Sequence, residues 1–110
     1  MIITDEDVEK ALNRLRFHAG NAAIAKAERI YMEEYRKCVK ANIMQKHLDL
    51  PVSAQEREAY ASQEYIDHLK VMRDAIERDE LCRWQMIAAQ AVIEAWRTCS
   101  ANQRGESKIG

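Results

Sequence analysis

Apolar residues in the first half of the chain recur at steps of three and four: Val8, Leu12, Leu15, Ala19, Ala23, Ala27, Ile30, Tyr31, Tyr35, Cys38 and Val39. That spacing is one face of an α-helix and persists to about His47. Thr4 followed three residues later by Asp7 resembles a capping box, and Asp5, Glu6 and Asp7 put negative charge where the helix dipole favours it. The pattern therefore predicts a first helix over about 5–47, far longer than the average globular helix. Leu48-Asp49-Leu50-Pro51-Val52 ends it, because Pro51 lacks a backbone donor and biases Leu50 out of the helical region. Ser53-Ala54-Gln55-Glu56 reads as a second capping box, opening a short helix over about 54–61, and Ser62 is a candidate cap for a third. From Gln63 a second long stripe runs through Ile66, Leu69, Met72, Ile76, Leu81, Trp84, Ala88, Ala91, Ala95 and Cys99, interrupted by Asp79 and Glu80. It predicts a third helix over about 63–98.

Two long helices joined by a short connector bury their stripes by folding back on each other. The expected fold is all-α: a long antiparallel helical hairpin, coiled-coil-like, forming a single domain over residues 1–99. Residues 100–110 are polar with two glycines and read as a disordered tail. A hairpin of two helices has only one seam and hides little area, so we expect a homodimer, most simply a four-helix bundle on a two-fold axis. Gly20 is open to three readings: a break in the first helix, a small-residue surface (Ala19 to Ala27) where another helix comes close, or a tolerated glycine in an alanine-rich helix.

Composition agrees with helix. Among 110 residues there are three glycines and one proline, too few for a hairpin-rich β fold. Formal net charge is −1, so bulk charge advertises neither nucleic acid nor membrane. Its distribution is uneven. Lys26, Arg29, Arg36, Lys37, Lys40 and Lys46 lie on the first helix towards the turn, and Glu64, Asp67, Asp74, Glu77, Asp79 and Glu80 lie on the third helix towards the same turn. An antiparallel hairpin sets these groups side by side, where cross-helix pairing fixes register. The sharper reading makes Arg29, Tyr31, Tyr35, Arg36, Lys37 and Lys40 a nucleic-acid face, rings stacking on bases and cations holding the backbone. Glu77, Asp79 and Glu80 could equally form an acidic partner face that mimics phosphate spacing.

Catalytic and metal chemistry is hard to place. His18, His47 and His68 form no paired ligand spacing, and Glu64 with His68 is an ordinary helix-surface pair. Cys38, Cys82 and Cys99 are an odd, widely spaced set, expected to be reduced and mostly buried. Trp84 and Trp96 are expected in the seam or a dimer contact. No phosphate-loop, dinucleotide or nucleophile-elbow motif is present. The reading is a non-enzyme with no metal, no cofactor and no small-molecule substrate. The opening residues lack the basic and apolar regions of a secretory signal, and no apolar run reaches about 18 residues. No membrane role and a cytoplasmic location are expected.

The blocks Ala25-Lys26-Ala27-Glu28-Arg29-Ile30-Tyr31-Met32-Glu33-Glu34-Tyr35-Arg36-Lys37, Gln55-Glu56-Arg57-Glu58-Ala59-Tyr60-Ala61-Ser62-Gln63-Glu64-Tyr65, Arg83-Trp84-Gln85 and Ala88-Ala89-Gln90-Ala91-Val92-Ile93-Glu94-Ala95-Trp96-Arg97-Thr98 resemble a family of small helical proteins from tailed phages and prophages. The family's genes often lie among early recombination and replication genes, and it supplies no active site to carry over. The resemblance implies a non-enzymatic accessory of phage DNA recombination or replication in the host cytoplasm, contacting single-stranded DNA or a protein bound to it. Alternatives are a host-directed inhibitor or adaptor that uses the acidic face, and a virion assembly or scaffolding protein.

Overall fold

The computed structural model describes residues 2–109, with side chains through residue 105. The protein is all-helical. Helix α1 spans Asp5–Met44, a single 3-10 turn follows at Gln45–His47, α2 spans Val52–Ala61 and α3 spans Gln63–Ile109. The start of α1 is a reciprocal capping box: the Asp7 N–H donates to Thr4 Oγ1 at 3.1 Å and the Thr4 N–H donates to Asp7 Oδ2 at 2.9 Å. That backbone donation, then the hydroxyl, holds the Asp7 carboxyl below its ordinary pKa.

Two local expectations need correction. The Ser53 capping box does not form. Pro51, at φ −58 and ψ 154, is the residue before α2 and no side chain caps it. Its fixed φ launches the helix two residues early and leaves Ser53 inside the first turn. Gln55 does related work, donating from Nε2 to the Leu50 carbonyl at 2.8 Å. Second, α3 does not end near Thr98 but continues to Ile109. Ala101, Gln103 and Arg104 are good helix formers, and Gly105 has no positive φ with which to stop the turn. Gly110 lies outside the described residues. Of the readings left open at Gly20, the break does not occur: the helix passes through it. The junction at Ser62 is as read from the sequence: its extended backbone ends α2, and its hydroxyl accepts from the Tyr65 N–H at 3.2 Å to open α3.

The chain divides into two compact units. One comprises Ile24–Glu80, the other Met1–Ala23 with Leu81–Gly110. In Ile24–Glu80 the buried and half-buried residues include Ala25, Arg29, Met32, Val39 and Ile43 on α1 and Tyr65, His68, Met72, Ala75 and Asp79 on α3. Partners descend α3 as they climb α1, with Arg29 against Asp79 and Lys46 against Glu64, so the helices are antiparallel here. The tightest packing lies where α2 crosses: Ile43, Tyr65 and the fully buried Ala59, with Val39 and Met44 against them. In the other unit the inward residues are Val8, Ala11, Leu15 and Ala22 on α1, and Cys82, Met86, Ala89, Ile93 and Trp96 on α3.

On α3 these positions alternate steps of three and four, and on α1 they fall at steps of three, four or seven, a 3.5-residue repeat. The stripes expected from the sequence drift off it. On α1, Leu12, Ile30, Tyr31 and Tyr35 are exposed; on α3, so are Ile66, Leu69, Leu81 and Trp84. The seam takes small side chains such as Ala11, Ala75 and Ala89, which let the backbones approach, and among the described residues no large side chain is fully buried. Cys38 and Cys99 are exposed and Cys82 half-buried, correcting the expectation of buried thiols.

A Cβ added at Gly20 would meet nothing within 4 Å, so no helix of this chain approaches there. Gly20→Ala should raise stability by about 0.5–1 kcal/mol and the thermal midpoint by about 4 °C. Circular dichroism melting checks this; a lower midpoint would mean that a helix of another molecule sits on Gly20.

Candidate functional site

The six residues read as a nucleic-acid face all lie on α1 within Ile24–Glu80, but the structure divides them. Arg29 is drawn into the helix–helix seam, where it pairs with Asp79 through Nε and with Glu33 through Nη1 at 3.5 Å. The Arg29–Asp79 contact is an ion pair without hydrogen-bond alignment, since Nε is buried and makes no hydrogen bond. Lys40 reaches across to α2. Its ammonium stands 3.5 Å from Glu56 Oε1 and 4.8 Å from the centre of the Tyr60 ring. Tyr60 first, and then Glu56 against the cost of burial, raise the Lys40 pKa above its ordinary value. Both cations hold the fold together and are unavailable to a ligand.

The other four stay outward. Tyr31 and Tyr35 stack on each other, with ring centres 5.8 Å apart and planes inclined by 16°. The ring of Tyr35 also meets that of His68 at 5.6 Å. His68 is fixed in turn by donating from Nε2 to the Met32 carbonyl at 2.8 Å. This places a tyrosine pair, 61% and 42% exposed, on a rigid helix surface. Lys37 beside it is exposed and pairs with Glu34 one turn away at 3.0 Å, an interaction worth little in water. Arg36 is exposed too, and among the described residues no ion pair engages it.

The acidic partner face is not assembled. Asp79 is buried, at 6% exposure, against Arg29. Glu77 is exposed and Glu80 half-buried and engaged. The sequence makes Asp79 a candidate for its place in an acidic, phosphate-like spacing, whereas its position within the apolar stripe of α3 makes it the partner of a semi-buried arginine. The expected cross-helix pairing of basic and acidic groups does occur, in Arg29–Asp79 and Lys46–Glu64.

One feature escaped the sequence reading. In the unit of Met1–Ala23 with Leu81–Gly110, a cleft of about 740 Å³ opens between α1 and α3. Its walls are mainly apolar, including Ala11, Ala88, Ala91, Val92 and Ala95, with Asp7, Lys10, Arg14 and Gln85 at its edges. The signal was present in Ala88, Ala91 and Ala95 at steps of three and four; what could not be read was that Ala11 would face them. Among the described residues no group of three or more His, Cys, Asp or Glu side chains could hold a metal ion, and no helix is long and apolar enough to cross a membrane. Comparison with family models, curated proteins and solved structures finds no match to this chain.

Asp79→Asn leaves Arg29 charged and half-buried, with only the longer contact to the more exposed Glu33 as counter-charge. It should cost about 2 kcal/mol, less than a fully buried broken pair because Arg29 keeps some solvent contact. Glu77→Gln, on the exposed side, should change stability by no more than about 0.5 kcal/mol. Urea unfolding at fixed protein concentration compares the two; equal effects would deny Asp79 its role inside the fold.

Proposed function

We propose that this chain works by association rather than catalysis: a helical protein that pairs with a second copy into a four-helix bundle and serves as an accessory of phage DNA recombination or replication. The observation that carries the first part is the large apolar surface that each unit leaves uncovered. The exposed side chains are of the interface kind: Phe17, Ile24, Ile30, Tyr31, Leu81 and Trp84. A second copy that covers part of this surface supplies the core that the seam of small residues does not. The phage setting rests on the resemblance of the sequence blocks alone.

A second reading, direct contact with single-stranded DNA, is favoured by the Tyr31–Tyr35 pair. Two stacked, exposed rings flanked by Arg36 and Lys37 offer π-faces for bases and cations for the backbone. With Arg29 and Lys40 committed elsewhere, the footprint is small and binding should be weak and strongly salt-dependent.

Light scattering should give twice the chain mass at micromolar concentration. In the same buffers, anisotropy of labelled oligonucleotides should show single-strand binding at low salt that Arg36→Glu with Lys37→Glu weakens by about tenfold or more. A monomeric mass removes the association reading, and no binding at low salt removes the DNA reading.

A further inference from the structure

The cleft in the unit of Met1–Ala23 with Leu81–Gly110 shares its face with two large apolar side chains. Lys10 lines the cleft on α1, and Phe17, seven residues on, lies two turns along the same helix face. Ala88 and Ala95 line it on α3, and Leu81, seven residues before Ala88, continues that face. Phe17 is 66% exposed and Leu81 57%. One surface of one unit thus carries both a hollow with apolar walls, Ile2 and Ile3 from the segment before α1 among them, and further large apolar groups of a kind that would fill such a hollow.

We propose that the cleft receives Phe17 and Leu81 of a second copy of this chain, each unit giving its two side chains and its hollow to the other across a two-fold axis. This rests on the self-association reading above and names the surface that carries it. A two-fold interface must be self-complementary, because each patch meets its own copy. A surface of hollows alone, or of projections alone, cannot meet that condition; this one has both. The volume, about 740 Å³, lies within the roughly 300–1,000 Å³ of pockets that hold drug-sized groups, room for a benzyl and an isobutyl group together. The rim is self-complementary in charge as well. Asp7 and Arg14 stand at the edges of the same cleft, and a two-fold that sets one against the other forms the pair twice. Lys10 lines the cleft too, but it already has an exposed pair with Glu6 at 3.3 Å, worth little in water, so the cross-axis pair falls to Arg14 with Asp7.

Full-length protein tests the assignment by light scattering and sedimentation over a dilution series. Ala91→Trp fills the hollow and Phe17→Ala removes a filling group. Both positions are exposed, so helicity should persist by circular dichroism. Each variant should weaken dimerisation by about tenfold or more, the effect of losing an anchoring aromatic contact, while Ala41→Trp on an exposed part of α1 in the other unit leaves it unchanged. If one variant loses its helical signal, the other still decides. A wild-type dimer that both variants preserve at unchanged affinity overturns the assignment and leaves self-association standing. A wild-type monomer overturns both, and a hollow occupied only by some other protein's helix would give that result.

Discussion

Two helices that meet along one line can bury only what lies on that line, and the remaining features of this protein follow from what the line contains. The 3.5-residue repeat places Ala11, Ala75 and Ala89 in the seam together with one charged pair. Alanine lets the backbones come close and contributes little apolar area, about 25 cal/mol for each Å² hidden. Larger groups enter the seam as well, among them Ile43, Tyr65, Ile93 and Trp96, but others, including Leu12, Ile30, Tyr31 and Ile66, sit one position off it and face outward. Much of the large apolar surface of both helices is thus external.

The Arg29–Asp79 pair shows the same constraint in its polar form. A charge in a helix seam is tolerated only with its counter-charge, and such a pair specifies which residues oppose each other better than alanine can. Register in Ile24–Glu80 is set from one end by this pair and from the other by the α2 crossing. There Ala59 is fully buried and Lys40 joins α1 to Glu56 and Tyr60. Arg29 and Lys40 are spent in this way, which reduces the proposed nucleic-acid face to Tyr31, Tyr35, Arg36 and Lys37.

Much of the local structure was legible because it depends on a few neighbouring residues. Thr4 with Asp7, Pro51 and Ser62 each set a boundary through backbone chemistry within four positions. The Ser53 box failed for an equally local reason, since Pro51 starts α2 before Ser53 can cap it. The burial pattern was less legible. Apolar spacing marks both helices, but a stripe that includes Leu12, Tyr31 and Tyr35 and one that includes Ala11, Ala25 and Met32 are both helical faces. The choice between them depends on what the opposite helix presents. Asp79 is the clearest case: alone it reads as a surface acid, and only Arg29 across the seam makes it internal. The cleft was hidden for the same reason, since Ala11 and Ala91 are far apart in sequence.

If the outward apolar surface is covered by a second copy, folding and association are one process, and stability depends on protein concentration. Thermal unfolding over a hundredfold range of concentration tests this most directly. The account predicts a midpoint that rises steadily with concentration. A midpoint independent of concentration, with monomer mass throughout, would contradict it and show that the seam of small residues holds the fold by itself.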